Sequence, residues 1–299
     1  MTLKKCLTGI LGVLLFSSCT PKEDPAFRVM TWNIWHGGLH GTPEDDFKKD
    51  SVNPINIFKV LKRESPDILF MQETYCCGME MAKQAGYPYS WRGSSNLSIH
   101  SKYPITDTLA FFKPFNSHGA VIAVNDKKIL CVNLWLNWRP DYFTNFDTLS
   151  IDSMIAGEKA TRLKEIKSIL NSVDSLEKKL NLPIILGGDF NSSSHLDWVE
   201  RTQKFHFNKV IPWPVTRFME ESGYTDSFRE ANPDPGTSLE GTWGFHNRES
   251  ALLSDRIDYI FYKGGGLEVV DSRIVKDNPP GGFFNSDHRA IVTEFEWRD

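Results

Sequence analysis

Residues 183–191 read Pro183-Ile184-Ile185-Leu186-Gly187-Gly188-Asp189-Phe190-Asn191. A short apolar run closed by glycines has the pattern of a buried strand over Pro183–Gly187. Residues two apart on a strand share a face, so Asp189 and Asn191 are expected to point together, with Phe190 turned into the core. A carboxylate beside a carboxamide can take a proton from water and hold that water by hydrogen bond. The same residues also fit an Asx turn that closes a strand, and alone they leave both readings open.

Working outward, three more acidic or amide clusters stand where a strand pattern gives out into a loop. They are Thr31-Trp32-Asn33-Ile34, Met71-Gln72-Glu73 and Ser286-Asp287-His288, with Asp258 upstream of the last in Arg256-Ile257-Asp258-Tyr259. A carboxylate such as Glu73 at a strand end is either a solvated edge or a hard oxygen ligand. Mg²⁺ takes one or two such carboxylates, plus water and substrate oxygens. Asp287 adds a second carboxylate and His288 an imidazole. A buried carboxylate at Asp258 would fix the tautomer of that histidine and favour its charged form. An imidazolium aimed at a phosphoryl oxygen stabilises transition-state charge.

Between these clusters strand and helix patterns alternate. Phe27–Trp35 reads as a strand, Pro54–Glu64 as a helix with Ile57, Val60 and Leu61 at helical spacing, and Asp67–Glu73 as a short apolar strand. Tyr87–Trp91, Leu97–Ser101 and Ile105–Phe112 read as short strands, and Ala120–Val124 with Lys128–Leu136 as a hairpin around Asn125-Asp126. Ala156–Leu180 is the longest helical pattern, with Leu163, Ile166, Leu170, Val173 and Leu180 on one stripe. Trp213–Ser222 follows as a helix, then Gly241–Phe245, Arg256–Lys263, Leu267–Val275 and Arg289–Trp297 as late strands. Many strands with helices between and outside them predict two packed sheets flanked by helices. No long Gly/Ser/Pro linker divides the pattern, which predicts one domain over 27–299.

The chain has 299 residues and a formal net charge of -4, with nine Trp and twenty Phe. A mildly acidic chain lacks the basic footprint of sequence-independent nucleic-acid binding, which counts against a processive nuclease. Lys4 and Lys5, the apolar run Leu7–Phe16 and then Ser17-Ser18-Cys19 have the form of a secretory signal peptide over 1–18. The apolar run is too short to span a bilayer. Cys19 directly after small residues resembles a bacterial lipobox, with Phe16 where Leu is usual, and 19–26 reads as a tether. Cys76, Cys77 and Cys131 remain for the folded part. Their odd number gives no disulfide framework, vicinal Cys76 and Cys77 are not expected to bridge within regular structure, and Cys131 reads as a small core residue.

The ordered set Trp32-Asn33, Gln72-Glu73, Gly188-Asp189-Phe190-Asn191, Arg256-Ile257-Asp258-Tyr259 and Ser286-Asp287-His288 resembles the signature of the endonuclease/exonuclease/phosphatase superfamily, the deoxyribonuclease-I-like fold. Ser101-Lys102-Tyr103-Pro104-Ile105 is similar to a further segment of that family, and Ser194-His195-Leu196-Asp197-Trp198 to a subgroup of secreted bacterial members. The resemblance implies an α/β four-layer sandwich: two packed, mainly antiparallel β-sheets flanked by helices. It implies Glu73 as principal metal ligand with Asn33 and Asp287 near the ion, Asp189 orienting or deprotonating the attacking water, and Asn191 holding water or phosphate. It implies His288, paired with Asp258, as the phosphate-binding imidazole, and Mg²⁺ (or Mn²⁺) as cofactor.

One departure stands out. Many members carry Asn-Thr-His-Leu on a central strand, and this chain reads Asn133-Leu134-Trp135-Leu136. By strand alternation Asn133 and Trp135 share a face, so Trp135 is expected to point towards the site. Indole has one donor and cannot act as acid or base. Either Trp135 supplies that donor, Arg139 supplies the positive charge, or the phosphate sits differently. His195 is expected either to line the pocket or to start a helix. Most of Trp35, Trp91, Trp138 and Trp243 are expected in the core, with stacking on a sugar, base or choline-like headgroup as the alternative.

The reading that follows is a Mg²⁺-dependent phosphodiesterase or phosphomonoesterase acting outside the cytoplasm, by in-line attack of water on phosphorus. Its substrate is a phosphorylated small molecule, headgroup or nucleic acid. The chain reaches the membrane through its N-terminal lipid only, and no obligate protein partner is indicated. A scavenging nuclease is the alternative within the enzyme class. A catalytically silent binding module on the same fold is the alternative outside it.

Overall fold

The computed structural model describes residues 26–38, 52–143, 145–244, 254–276 and 286–298. The signal-peptide, lipobox and tether expectations, together with Phe245, lie outside the described residues.

The described strands form two six-stranded sheets. Sheet one runs in the order β11 (Leu267–Ile274), β12 (Ile291–Trp297), β1 (Phe27–Asn33), β2 (Ile68–Gln72), β4 (Leu97–Ser101), β3 (Tyr89–Arg92). Sheet two runs β5 (Ile105–Ala110), β6 (Ser117–Val124), β7 (Lys127–Trp135), β8 (Ile184–Asp189), β10 (Asp258–Lys263), β9 (Thr225–Asp226). β1 is parallel to β2 and β7 to β8, and the remaining pairings are antiparallel. The helices are α1 (Val52–Glu64), α2 (Gly78–Ala85), α3 (Ile151–Ala160), α4 (Arg162–Leu180), α5 (Pro214–Glu221) and α6 (Ser227–Ala231).

Alternation along the central strands explains the layering. Val29, Ile68, Phe70, Ile129, Cys131, Ile185 and Ile260 face inward and pack between the sheets. Their neighbours Met30, Leu69 and Met71 face outward onto Ile57, Val60 and Leu61 of α1 and Met81 of α2. On sheet two, Leu130, Val132, Leu186 and Phe261 face outward onto Ile166, Leu170 and Val173 of α4 and Met219 of α5. Central strands buried on both faces read as continuous apolar runs for this reason. Each fully buried Leu, Ile or Phe contributes roughly 1.5–3 kcal/mol of transfer free energy. The result is the four-layer α/β sandwich implied by the resemblance, with Phe190 in the outer core and Cys131 in the inner one, as expected.

Several boundaries differ from the sequence reading. The long helical pattern begins earlier, at Ile151, and breaks at Thr161, where φ is -123° and ψ -94°. Trp213 precedes α5 rather than joining it, because Pro214 opens the helix without needing an N–H donor. The expected strand at Gly241–Phe245 reduces to bridges from Trp243 to Asp255 and to His288. Helix α2, between β2 and β3, has no counterpart in the sequence reading. Cys76 and Cys77 form a disulfide, against expectation. They lie in the turn before α2, outside regular structure, where the sequence argument does not reach.

Candidate active site

The inner-face alternation does more than build a core. It carries polar side chains to one rim of the sandwich, where β1, β2, β7 and β8 end and β10 begins. Asn33 lies in register with Gln72, and Trp135 with Asp189, which is in turn opposite Asp258. Glu73 follows directly after β2, and Ser286-Asp287-His288 leads into β12.

Asn33 ties the two sheets together. Its Nδ2 donates to Glu73 Oε1 at 3.1 Å and to Asp189 Oδ2 at 3.0 Å, while its Oδ1 accepts from the Trp35 N–H at 3.0 Å. Glu73 Oε2 accepts from the His36 N–H at 3.0 Å, and the His36 ring nitrogen stands 3.6 Å away. Asn96 Oδ1 accepts from the Glu73 N–H at 3.1 Å and pins that backbone.

Asp189 is buried and saturated with donors. The Asn191 N–H reaches Oδ1 at 2.8 Å and Asn191 Nδ2 reaches Oδ2 at 3.1 Å. Asp189 and Asn191 do point together, although strand alternation is not the cause. β8 ends at Asp189, and Asn191 sits in the left-handed region at φ 48°, which Asn tolerates better than most residues.

His288 completes the rim. Its Nδ1 lies 2.8 Å from Asp258 Oδ2, and its Nε2 lies 3.8 Å from Asp189 Oδ2 and 4.0 Å from Asp287 Oδ1. Ser286 Oγ accepts from the His288 N–H at 3.0 Å and donates to the Asn33 carbonyl at 2.6 Å. Trp243 Nε1 donates to Asp287 Oδ2 at 3.3 Å. Thr242 Oγ1 accepts from the N–H groups of Ile257 and Asp258.

The electrostatics follow from burial and neighbours. Burial pushes the Asp189 carboxyl up to about 7, opposed by the nearby His288 and reinforced by Asp258. Burial alone would lower the His288 imidazole, but Asp258, Asp287 and Asp189 hold it well above the usual histidine value. Asp189, Asp258 and His288 each offer one ligand atom within 4.8 Å of the others. Since Asp258 already engages His288 Nδ1, this trio has the geometry of a hydrogen-bonded acid–imidazole pair facing a second carboxyl. Such an arrangement can hold a proton between the imidazole and a carboxylate, and present an N–H to an anion.

The rim therefore unites Asn33, Glu73, Asp189, Asn191, Asp258, Asp287 and His288. The weaker expectations divide. Asn133 lies fully buried between the sheets; its Oδ1 accepts from Gln72 at 2.7 Å and its Nδ2 donates to the Met71 and Ser98 carbonyls, so it braces the sandwich and does not line the opening. His195 turns away, bonding Thr216 Oγ1 at 3.0 Å and Glu220 Oε2 at 2.8 Å beside α5. Arg139 is exposed, with its guanidinium stacked over Trp138 at 4.3 Å. Trp135 ends β7 in register with Asp189. Sequence reasoning missed Asn96 and Thr242, whose side chains hold site backbone in place. Lone polar residues in loops carry no spacing signal.

Comparisons with known proteins bear on the fold and the family. The uncharacterized protein F14F9.5 of Caenorhabditis elegans is 30% identical over 262 residues, covering 79% of this chain and 78% of that one. An endonuclease/exonuclease/phosphatase structure from Beutenbergia cavernae superposes with a TM-score of 0.61 at 19% identity, over 91% of this chain and 72% of that one. The catalytic domain of human Nocturnin gives 0.59 at 15% identity, over 91% and 95%. At such identities the two structures bear on the fold alone. The sequence profile of the Endonuclease/Exonuclease/phosphatase family matches residues 30–288, from β1 through His288 at the rim, and the chain belongs to that family.

Proposed function

We propose that this chain is a divalent-metal-dependent phosphoester hydrolase acting outside the cytoplasm. Family membership supports phosphoester hydrolysis in general. The observation that carries the finer reading is the convergence of Glu73, Asp189, Asp287 and the Asp258–His288 pair on one rim.

The donor set fits a hard cation. Glu73 and Asp287 keep 15% and 26% of their side-chain surface exposed, whereas Asp189 and Asp258 are almost wholly enclosed. Carboxylate oxygens at a cleft mouth suit Mg²⁺ or Mn²⁺ better than the buried imidazole does. Glu73 and Asp287 would hold the ion, with Asn33 positioning the Glu73 carboxylate through its Nδ2. When bound, the ion polarises a phosphoryl oxygen and neutralises developing charge.

The chain's own residues do the rest. Asp189 orients the attacking water and accepts its proton, steadied by Asn33 and Asn191. His288 presents its Nε2 proton to a phosphoryl oxygen, while Asp258 fixes the ring through Nδ1. The soluble domain from Ala26 tests this against phosphodiesters, phosphomonoesters and nucleic acid, with Mg²⁺ or with EDTA. Turnover is expected only with the ion, and Glu73→Gln should lower it by about a hundredfold or more. Full turnover in EDTA would overturn the metal reading.

The extracytoplasmic placement rests on the Lys4–Cys19 segment. The full chain is expected in the membrane fraction, and Cys19→Ala in the soluble fraction. Unchanged partitioning of that variant would exclude a lipid at Cys19.

A further inference from the structure

We propose that the Cys76–Cys77 disulfide is a reversible redox-modification site: a dithiol reduces it, and its reduction weakens the hold of the rim on a divalent cation. The inference rests on the metal site of the hydrolase reading above and adds its regulation. The two cysteines lie in the turn that leads from Glu73, at the end of β2, into α2. Bridged neighbours close a small ring across their shared peptide, so this bond fixes local backbone and joins no distant elements. Cys76 is exposed and Cys77 half-buried, which leaves the bond open to a small reductant.

The bridged turn is part of the support of Glu73. The Cys77 and Gly78 N–H groups both donate to the Thr74 carbonyl, at 3.1 and 3.0 Å, and close the turn directly behind Glu73. Glu73 and Tyr75 have φ of 54° and 30°, a region that such residues seldom enter. Backbone of this kind persists only where its surroundings over-determine it. Cys77 is also the N-cap residue of α2, and its side chain makes no capping bond, so the ring fixes a helix start that lacks the usual cap. On its other side the turn packs against His36-Gly37-Gly38. A Cβ at Gly37 would stand 3.2 Å from Cys76 Sγ and 3.1 Å from the Thr74 carbonyl oxygen. The Gly37 N–H donates to the Glu73 carbonyl at 2.6 Å, and the His36 N–H holds Glu73 Oε2 at 3.0 Å. Cys76 therefore backs both the backbone of Glu73 and the neighbouring turn that orients its carboxylate.

The exchange is a two-electron reduction. A thiolate of the dithiol attacks Cys76 Sγ, the Sγ–Sγ bond breaks, and Cys77 leaves as a thiolate that takes a proton. The second thiol of the reductant then attacks the mixed disulfide, releases Cys76 as a thiol and leaves the reductant as its own disulfide. Two separate side chains replace the ring, and the Glu73 turn loses a constraint. Loss of the groups that orient a metal ligand typically weakens the metal tenfold or more.

A Mn²⁺ titration of the full chain, followed by the paramagnetic resonance of the free ion, reads this affinity without any substrate. It compares three preparations: oxidised protein, protein reduced with dithiothreitol and freed of it under argon, and reduced protein reoxidised with glutathione disulfide. The dissociation constant is expected to rise about tenfold on reduction and to return on reoxidation. Cys76→Ser combined with Cys77→Ser should bind Mn²⁺ like the reduced protein and ignore the dithiol. Equal affinity in the oxidised and reduced states overturns the inference and leaves the hydrolase reading standing. So does a double variant that binds as tightly as the oxidised protein, or one that still responds to the dithiol. If Mn²⁺ binds in neither redox state, the metal reading falls and takes the inference with it.

Discussion

Gly188 shows what a single residue contributes to the rim. Its φ is 151°, and a Cβ built there would stand 2.0 Å from the Leu134 carbonyl oxygen. β8 lies so close against β7 at this point that only glycine fits, and the next residue is Asp189. Gly188→Ala must push the strands apart, at an expected cost of about 2–4 kcal/mol, and shift the carboxylate that Asn33 and Asn191 hold. Urea unfolding should show a lower midpoint with an unchanged slope, and an unaltered midpoint would refute this account. The Gly-Gly-Asp run was legible as a motif, but the steric reason for it was not, because the neighbouring strand is distant in sequence. The same limit applies to the backbone around the cleft. Trp35, His36, Glu73 and Asn191 all have positive φ, between 48° and 54°. Of these Asn and His are residue types enriched in that region, so Trp35 and Glu73 gave no sign in the sequence. Left-handed residues gathered at one rim are strain held by the surrounding structure, a common feature of functional sites.

At the scale of elements, alternation was the legible signal, and it put Trp135 on the same face of β7 as Asn133. Ion pairs that interrupt a helix were not legible. Arg162, fully buried, bonds Glu158 at 2.7 Å and the Trp138 and Pro140 carbonyls, and it sits where α3 gives way to α4. An apolar stripe read over 156–180 passes straight through that break. Nor did the sequence announce two buried histidines, His100 on the helix-facing side of sheet one and His118 between the sheets. His100 on β4 is held between Ser90 and Ser98 at 2.7 and 2.8 Å, and His118 on β6 is buried against Trp91. Burial pushes both imidazoles down to about 3. Since the unfolded chain takes up protons near 6.5 and the folded state does not, each histidine's contribution is complete above 6.5 and lost as pH falls towards 3. The slope is about 1.4 kcal/mol per pH unit for each histidine. His118→Phe, judged by urea midpoints from pH 7 to 4, should flatten this acid limb by one proton equivalent. A variant with the wild-type slope would show that His118 is protonated in the folded protein.

For the whole molecule, the site sits at one end of the two sheets, beyond the apolar core they share, and its charges work against their closure there. Glu73 follows a strand of sheet one, Asp189 and Asp258 belong to sheet two, and Asp287 leads into β12 of sheet one. Asn33 and the Asp258–His288 pair bridge the rim, but four carboxylates remain within it. Like charges so placed oppose closure of the sandwich in an environment less screened than bulk water. A divalent cation that binds only the closed rim should therefore stabilise the entire fold. With an ion concentration tenfold above its dissociation constant, mass action supplies about 1.4 kcal/mol. For a domain of this size that raises the melting temperature by roughly 2–3 °C. Melts in Mg²⁺ against EDTA measure it without any substrate. Glu73→Gln removes a proposed ligand and one of the repelling charges together, so it should melt higher than wild type in EDTA and lose most of the rise in Mg²⁺. Equal responses of the two proteins to the ion would place the cation elsewhere than at Glu73.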